Sequence, residues 1–229
     1  MLIDHIGYFV YPDMWWLRAI GRLAFPLFAF LIGYGAIKTR NIYKYLARLL
    51  AFAICVQLGA FVFEKVTGVV MLDFFNVFFT LASGVICIIL SQLIGRYMQK
   101  IMLSSMTHSE MQWENVAIVG VCVVVMVSIG VLAGVLNFDY GSPGILLIMM
   151  FYYALQKGII FCKQASIFIL IIFNLMLTWS LWHIQWFGVL SVVFILLFDN
   201  KRIRPKRVEQ YAYYIFYPLH ILIINLLIL

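Results

Sequence analysis

The chain has 229 residues, of which 66% are hydrophobic and 11% charged, with a formal net charge of +7 and a mean hydropathy of +1.05. A soluble domain is about half apolar and a quarter charged, so this composition excludes a soluble fold and describes a polytopic membrane protein. The positive charge does not point to nucleic acid, because the Lys and Arg are spread over short loops rather than gathered on one face.

The first element is short. Met1-Leu2-Ile3 leads directly into Asp4-His5, and Tyr11-Pro12-Asp13 reads as an outer loop, leaving about ten helical residues, half a crossing. The expectation is that the natural gene encodes about 10–15 further apolar residues upstream, completing a span of roughly 20. Apolar runs of near-spanning length follow at 19–37, 45–63, 74–95, 116–136, 165–182 and 211–229. Two shorter runs, 143–156 and 184–198, reach only about 20–23 Å at 1.5 Å per residue. They are still expected to cross, since the alternation of charge between loops requires it. The fold expected is all-α: a polytopic transmembrane helical bundle with eight full spans plus a truncated first helix, one integral membrane domain over 1–229. There is no internal repeat, low-complexity tract, linker or signal-peptide cleavage pattern.

Charge orients the bundle. Thirteen of the sixteen Lys and Arg fall in alternate loops: Lys38, Arg40, Lys44 and Arg48; Arg96 and Lys100; Lys157 and Lys163; and Lys201, Arg202, Arg204, Lys206 and Arg207. Short cytoplasmic loops retain positive charge, so these loops are expected inside and the C-terminus outside. The non-cytoplasmic side then collects Asp4, His5, Arg18, Arg22, Asp73, Asn76, Asp139 and His183. The partner this implies is the lipid bilayer, crossed several times. Cys55, Cys87, Cys122 and Cys162 have no metal-ligand or redox spacing, so neither a metal site nor a disulfide framework is expected.

Arg18 and Arg22 lie four residues apart, on one face of a helix that enters from the outer side. Pro26, one turn further in, is expected to bend that helix or open its ladder. Arg18 reads either as a site residue or as a side chain snorkelling to the interface. Arg22 lies deeper, where an arginine faces a partner or a wet cavity, and Asp4 is the carboxylate at matching depth. Adjacent helical residues diverge by about 100°, so Asp4 and His5 read as separate: Asp4 neutralises Arg22, and His5 faces the cavity as a proton acceptor. The competing reading of His5 is an interfacial side chain bonded to a loop carbonyl. His220 falls near mid-membrane in the last span, either on a ligand's route or bridging two helices. Asn76 and Thr80, at i and i+4, suit hydrogen bonds between helices. Asp139 sits in an outer turn and reads as a turn residue or a substrate contact. His183, among Trp179, Trp182 and Trp186, reads as part of an aromatic interface belt.

Several motifs resemble the TraX family of bacterial membrane proteins. They are Asp4-His5-Ile6-Gly7, Arg18 with Gly21-Arg22-Leu-Ala-Phe-Pro-Leu-Phe-Ala-Phe, Tyr45-Leu-Ala-Arg48-Leu, Asn76-Val-Phe-Phe-Thr80-Leu-Ala, Asn137-Phe-Asp139-Tyr140-Gly141 and Tyr214-Ile-Phe-Tyr-Pro-Leu-His220, in order along nearly the whole chain. The first two together are specific; the middle ones are weak alone. Two departures stand out: the first span is cut just before Asp4-His5, and Phe198-Asp199-Asn200 stands where the family often has Tyr-Asn-Gly. The family's namesake acetylates the amino terminus of conjugative pilin, and the family looks related to transmembrane acyltransferases that use cytoplasmic acyl-CoA.

The resemblance and the charge map imply an acetyltransferase moving acetyl from cytoplasmic acetyl-CoA to an outer acceptor, a pilin amine or an envelope-glycan hydroxyl. His5, Asp4 and Arg22 are then the expected catalytic group, with Arg22 or Asn76 stabilising the oxyanion. Arg18, Asn76, Asp139 and His220 are expected to hold substrate. The inner loops 38–48 and 199–207 supply nine Lys and Arg suited to the donor's phosphates. Lys44, Arg48 and Arg202 are the expected contacts, unless these residues serve topology alone. Two other functions compete: a small transporter, whose usual mark is paired broken helices in two similar halves, and a non-catalytic factor for pilus or envelope assembly. The acceptor and the oligomeric state are not legible.

Overall fold

In a computed structural model, the residues described are 1–69, 75–106, 113–158, 163–177, 184–198 and 207–228. They form α1 (Leu2–Phe9), α2 (Trp15–Gly21), α3 (Ala24–Lys38), α4 (Ile42–Thr67), α5 (Val77–Met106), α6 (Trp113–Val135), α7 (Gly141–Gln156) and α8 (Lys163–Leu177). A 3₁₀ segment (Ile184–Leu190), α9 (Ser191–Leu196) and α10 (Arg207–Ile228) complete the order. The all-helical expectation holds among these residues, where the β-type pairing is an isolated parallel bridge between Phe75 and Phe138. Asp73, His183 and Arg202 lie outside the described residues, as does most of the basic loop 199–207.

The structure supports a coarser statement than the expected eight full spans. Among the described residues, four helical stretches are long and apolar enough to cross a bilayer: Trp15–Lys38, Ile42–Thr67, Val77–Ser104 and Trp113–Val135. Gly141–Gln156, Ser166–Met176, Ile184–Leu196 and Ile215–Leu227 are apolar but shorter. The run drawn at 184–198 is a 3₁₀ turn followed by a short α-helix, a local geometry that apolar composition does not reveal.

Local signals place several ends. Asn41 caps α4 by accepting from the Lys44 N–H at 2.9 Å. Gly68 ends it in the left-handed conformation, φ 73°, with its N–H on Glu64 O at 2.8 Å. Asn76 caps α5, its Oδ1 accepting from the Phe78 N–H at 3.1 Å. The break in Trp15–Lys38 comes at Arg22–Leu23 rather than at Pro26 itself. Pro26 has no N–H for the carbonyl four residues earlier, that of Arg22. The chain tightens there, with Leu23 N–H donating to Ile20 O at 3.2 Å.

One continuous core joins α3, α4, α5, α7, α8, α9 and α10, with Phe25, Phe30, Leu49, Ile88, Ile148, Phe151, Phe173, Ile195 and Ile221 fully enclosed. Lipid is as apolar as leucine, so close packing rather than water exclusion holds such helices together. The approach of α3 to α7 depends on Gly33, where a Cβ would lie 3.0 Å from the Tyr152 backbone nitrogen. In contrast, α6 is peripheral: only 11% of its apolar stretch is buried, against 61% for that of α5. Its valines at 121, 124, 127 and 131 are exposed, as suits a helix apolar on every side.

Candidate active site

Two glycines let α1 lie flat on α2. A Cβ at Gly7 would fall 2.7 Å from Leu17 Cβ, and one at Gly21 would fall 2.6 Å from Asp4 Cγ. Asp4 is therefore pressed against α2 at the level of both arginines. Its Oδ1 is 2.9 Å from Arg18 Nε and 3.9 Å from Arg22 Nη2. The Arg18 contact is an ion pair without an aligned hydrogen bond, for neither atom has a hydrogen-bond partner. Asp4 thus pairs first with Arg18, where Arg22 was the expected partner. Arg18 also lies 4.8 Å from the Tyr8 ring centre, tied into the site rather than snorkelling. Arg22, 8% exposed, donates through Nη1 to the Tyr140 hydroxyl at 3.4 Å.

α10 packs behind α1 and brings His220 to His5. His5 Nδ1 is 2.7 Å from His220 Nε2, and His220 Nδ1 is 2.6 Å from the Phe216 carbonyl oxygen. A carbonyl only accepts, so His220 Nδ1 carries the proton and donates it. A neutral His220 then presents a bare Nε2, which accepts from Nδ1–H of His5. That assigns the His5 tautomer: Nδ1 is protonated and Nε2 carries the lone pair. The reading of His220 as a helix bridge matches this contact.

The opposite wall comes from the loop before α5 and the turn before α7. Phe75 N–H donates to Asn137 O at 3.2 Å, and Asp139 N–H to Phe75 O at 3.0 Å. Thr80 Oγ1 donates to the Asp139 carbonyl. Tyr140 has φ 62°, a left-handed conformation that strains a bulky residue by roughly 1–3 kcal/mol. Its ring is held on Phe25, with centroids 3.7 Å apart and planes 9° from parallel. Burial pushes the Asp139 carboxyl up to about 7, although the Arg22 guanidinium pulls it down. Asn76 has no donor to spare: Nδ2 serves Ala53 O at 2.8 Å and Gln57 Oε1 at 3.1 Å. Of the two expected oxyanion donors, only Arg22 retains spare N–H groups.

A cavity of about 390 Å³ is lined by Asp4, His5, Arg18, Arg22, Asn76 and Asp139, together with Phe25, Tyr140 and Gln185. Six residues singled out from sequence thus share one space. His220 stands behind His5 and is not among the lining residues, unlike its expected place on a ligand's route. Lys44 and Arg48 are exposed on α4, with Arg48 5.9 Å from the Tyr45 ring centre. Nine residues separate Arg48 from Gln57, the partner of Asn76, which is about 14 Å along a helix. Tyr140 and Gln185 were missed. The positive φ of Tyr140 next to a Gly has no sequence mark, while a glutamine in an apolar run was a usable signal. Among the described residues, no group of three or more His, Cys, Asp or Glu is placed to hold a metal ion.

A curated relative, the uncharacterized protein RP591 of Rickettsia prowazekii (strain Madrid E), is 53% identical over 34 residues. That match covers 15% of this chain and 14% of the relative's own length. No solved structure matches. The model of the TraX protein family matches residues 1–228, so the chain belongs to the TraX family.

Proposed function

We propose that the protein is a membrane acetyltransferase that takes acetyl from acetyl-CoA and passes it to a hydroxyl or amine on the non-cytoplasmic side. The observation that carries this reading is the chain of contacts from His5 through His220 to the Phe216 carbonyl, from which the His5 tautomer is assigned. With Nδ1–H held by His220, the imidazole offers an unprotonated Nε2 from a residue that lines the cavity.

In the reaction, His5 Nε2 takes the proton of the acceptor O–H or N–H as the acceptor attacks the thioester carbonyl. A C–O or C–N bond forms, the C–S bond breaks, and the proton passes from His5 to the departing CoA thiolate. Positive charge builds on His5 in the first step, and His220 stabilises it through the shared Nδ1 proton. Arg22 is the donor for the carbonyl oxygen as it becomes negative, a role worth roughly 3–4 kcal/mol. Asp4, between Arg18 and Arg22, holds both guanidinium groups at the cavity wall. The inner-loop Lys44 and Arg48 receive the donor's phosphates, with Arg202 as a further candidate.

The charge alternation supports the orientation, with donor from the cytoplasm and acceptor from outside a bacterial inner membrane. Pilin is the acceptor suggested by the family's namesake, and an envelope glycan meets the same chemistry. A second reading, a non-catalytic assembly factor, draws on the same contacts, since Asp4 and His5 tie α1 to α2 and α10. Purified protein in detergent, supplied with acetyl-labelled CoA and membrane extract, should label an acceptor. Failure to consume acetyl-CoA with any acceptor fraction would leave the assembly reading.

A further inference from the structure

Beside the cavity lies a group of enclosed polar atoms without partners. Asn174 in α8, Gln185 in the 3₁₀ segment and Ser191 at the start of α9 are 0%, 1% and 0% exposed. Asn174 Oδ1, both amide atoms of Gln185 and Ser191 Oγ have no hydrogen-bond partner. Buried polar groups are hydrogen-bonded as a rule, so several orphans within so short a stretch of structure need a reason.

Gly188 shows that two of these side chains, Asn174 and Gln185, converge beside the Arg22 carbonyl. A Cβ there would lie 3.3 Å from Arg22 O, 3.7 Å from Asn174 Oδ1 and 3.7 Å from Gln185 Nε2. Pro26 lacks the N–H that a continuous helix would aim at that Arg22 carbonyl. Asn174 Nδ2 donates to Leu170 O at 2.7 Å, which fixes the orientation of its amide and leaves Oδ1 as the open acceptor. Gln185 also lines the cavity that contains His5. The group therefore presents two fixed acceptors, Asn174 Oδ1 and Arg22 O, and one amide able to donate and accept. Neither side chain is charged.

We propose that Asn174 and Gln185 form a subsite for an uncharged part of a substrate bearing O–H or N–H groups, next to the reacting centre. This rests on the acetyl-transfer reading for its place in a reaction, though not for its binding chemistry. Two sources carry that chemistry: hydroxyls of the acceptor, and the amides of the donor's pantetheine arm. The fixed acceptors require N–H or O–H from the ligand, and Gln185 Nε2 donates to one of its oxygens.

The test uses the full chain in detergent and two neutral labelled probes, methyl glucoside and pantetheine, in equilibrium dialysis. Wild-type protein should bind one of them saturably. Gln185→Met and Asn174→Leu should each weaken that binding about tenfold or more. Their melting temperatures should hold or rise, since removing an orphaned buried polar atom relieves rather than harms the fold. Binding of methyl glucoside identifies the acceptor's hydroxyls; binding of pantetheine identifies the donor's amides. No saturable binding of either probe, or binding unchanged in both variants, overturns the subsite. So does a melting temperature several degrees lower with affinity intact, which marks a structural group. Because neither probe needs turnover, an enzyme inert toward acetyl-CoA would refute the proposed function and leave this result standing.

Discussion

His5 Nδ1 lies 2.7 Å from His220 Nε2, across 215 positions of the chain. The direction of that bond is set one step further away, by the Phe216 carbonyl on His220 Nδ1. The two histidines are thus unequal: one lines the cavity, and the other orients it from behind. His5→Ala should lower kcat by roughly 10²–10⁴. His220→Ala should also lower kcat, by about tenfold or more, with the KM for acetyl-CoA unchanged, because it removes an orienting partner. Steady-state kinetics on the pair decides this. A raised KM with normal kcat in His220→Ala would return that residue to the donor's route.

The two arginines should separate by phenotype. Arg18 is the nearer partner of Asp4, at 2.9 Å against 3.9 Å for Arg22. Arg18→Ala is expected to lower the melting temperature in detergent more than Arg22→Ala does. Arg22→Ala is expected to cost more activity per folded molecule, since Arg22 keeps N–H groups free for the oxyanion. Equal losses of activity and stability in both variants would count against distinct roles.

Gly21→Ala tests the seat of Asp4. The added methyl would overlap the Asp4 side chain, and overpacking of this kind costs about 1–3 kcal/mol. The expected result is a lower melting temperature together with lost activity, as α1 is pushed away from both arginines. Gly59→Ala, where nothing lies within 4 Å of the new atom, is the matching control and should behave as wild type.

Asp139 should leave a mark on stability against pH. Its carboxyl is raised by burial to about 7 from the usual 3.8, so between those values the folded protein binds a proton that the unfolded chain has released. The stability it contributes is therefore fully present below about pH 4 and lost as pH rises through about 7. Asp139→Asn should flatten this part of the curve, measured as melting temperature between pH 4.5 and 8. An unaltered slope would place the titration elsewhere.

Orientation is open to a direct check. With the four native cysteines replaced, Asp13→Cys should react with an impermeant thiol reagent in intact spheroplasts. Lys44→Cys, exposed at the start of α4, should react only after lysis. The reverse pattern would put the cavity on the cytoplasmic side.

By itself the sequence determined the class of protein, because an apolar fraction of 66% admits few solvents other than lipid. It also marked Asp4, His5, Arg18, Arg22, Asn76 and Asp139, since polar groups in apolar runs need partners wherever they fall. It told less about spans: among the described residues four helical stretches are long and apolar enough to cross a bilayer, and the short run at 184–198 opens as a 3₁₀ segment, which hydropathy does not distinguish from an α-helix. Only the tertiary structure decided who pairs with whom. The close approach at Gly7 and Gly21 put Asp4 on Arg18 before Arg22, and the packing of α10 behind α1 put His220 on His5. The same packing enclosed Gln185 and Asn174, whose exposure depends on helices distant in sequence. Helical periodicity reports which residues share a face; which face meets it depends on contacts between remote segments, and one chain read alone carries no record of them.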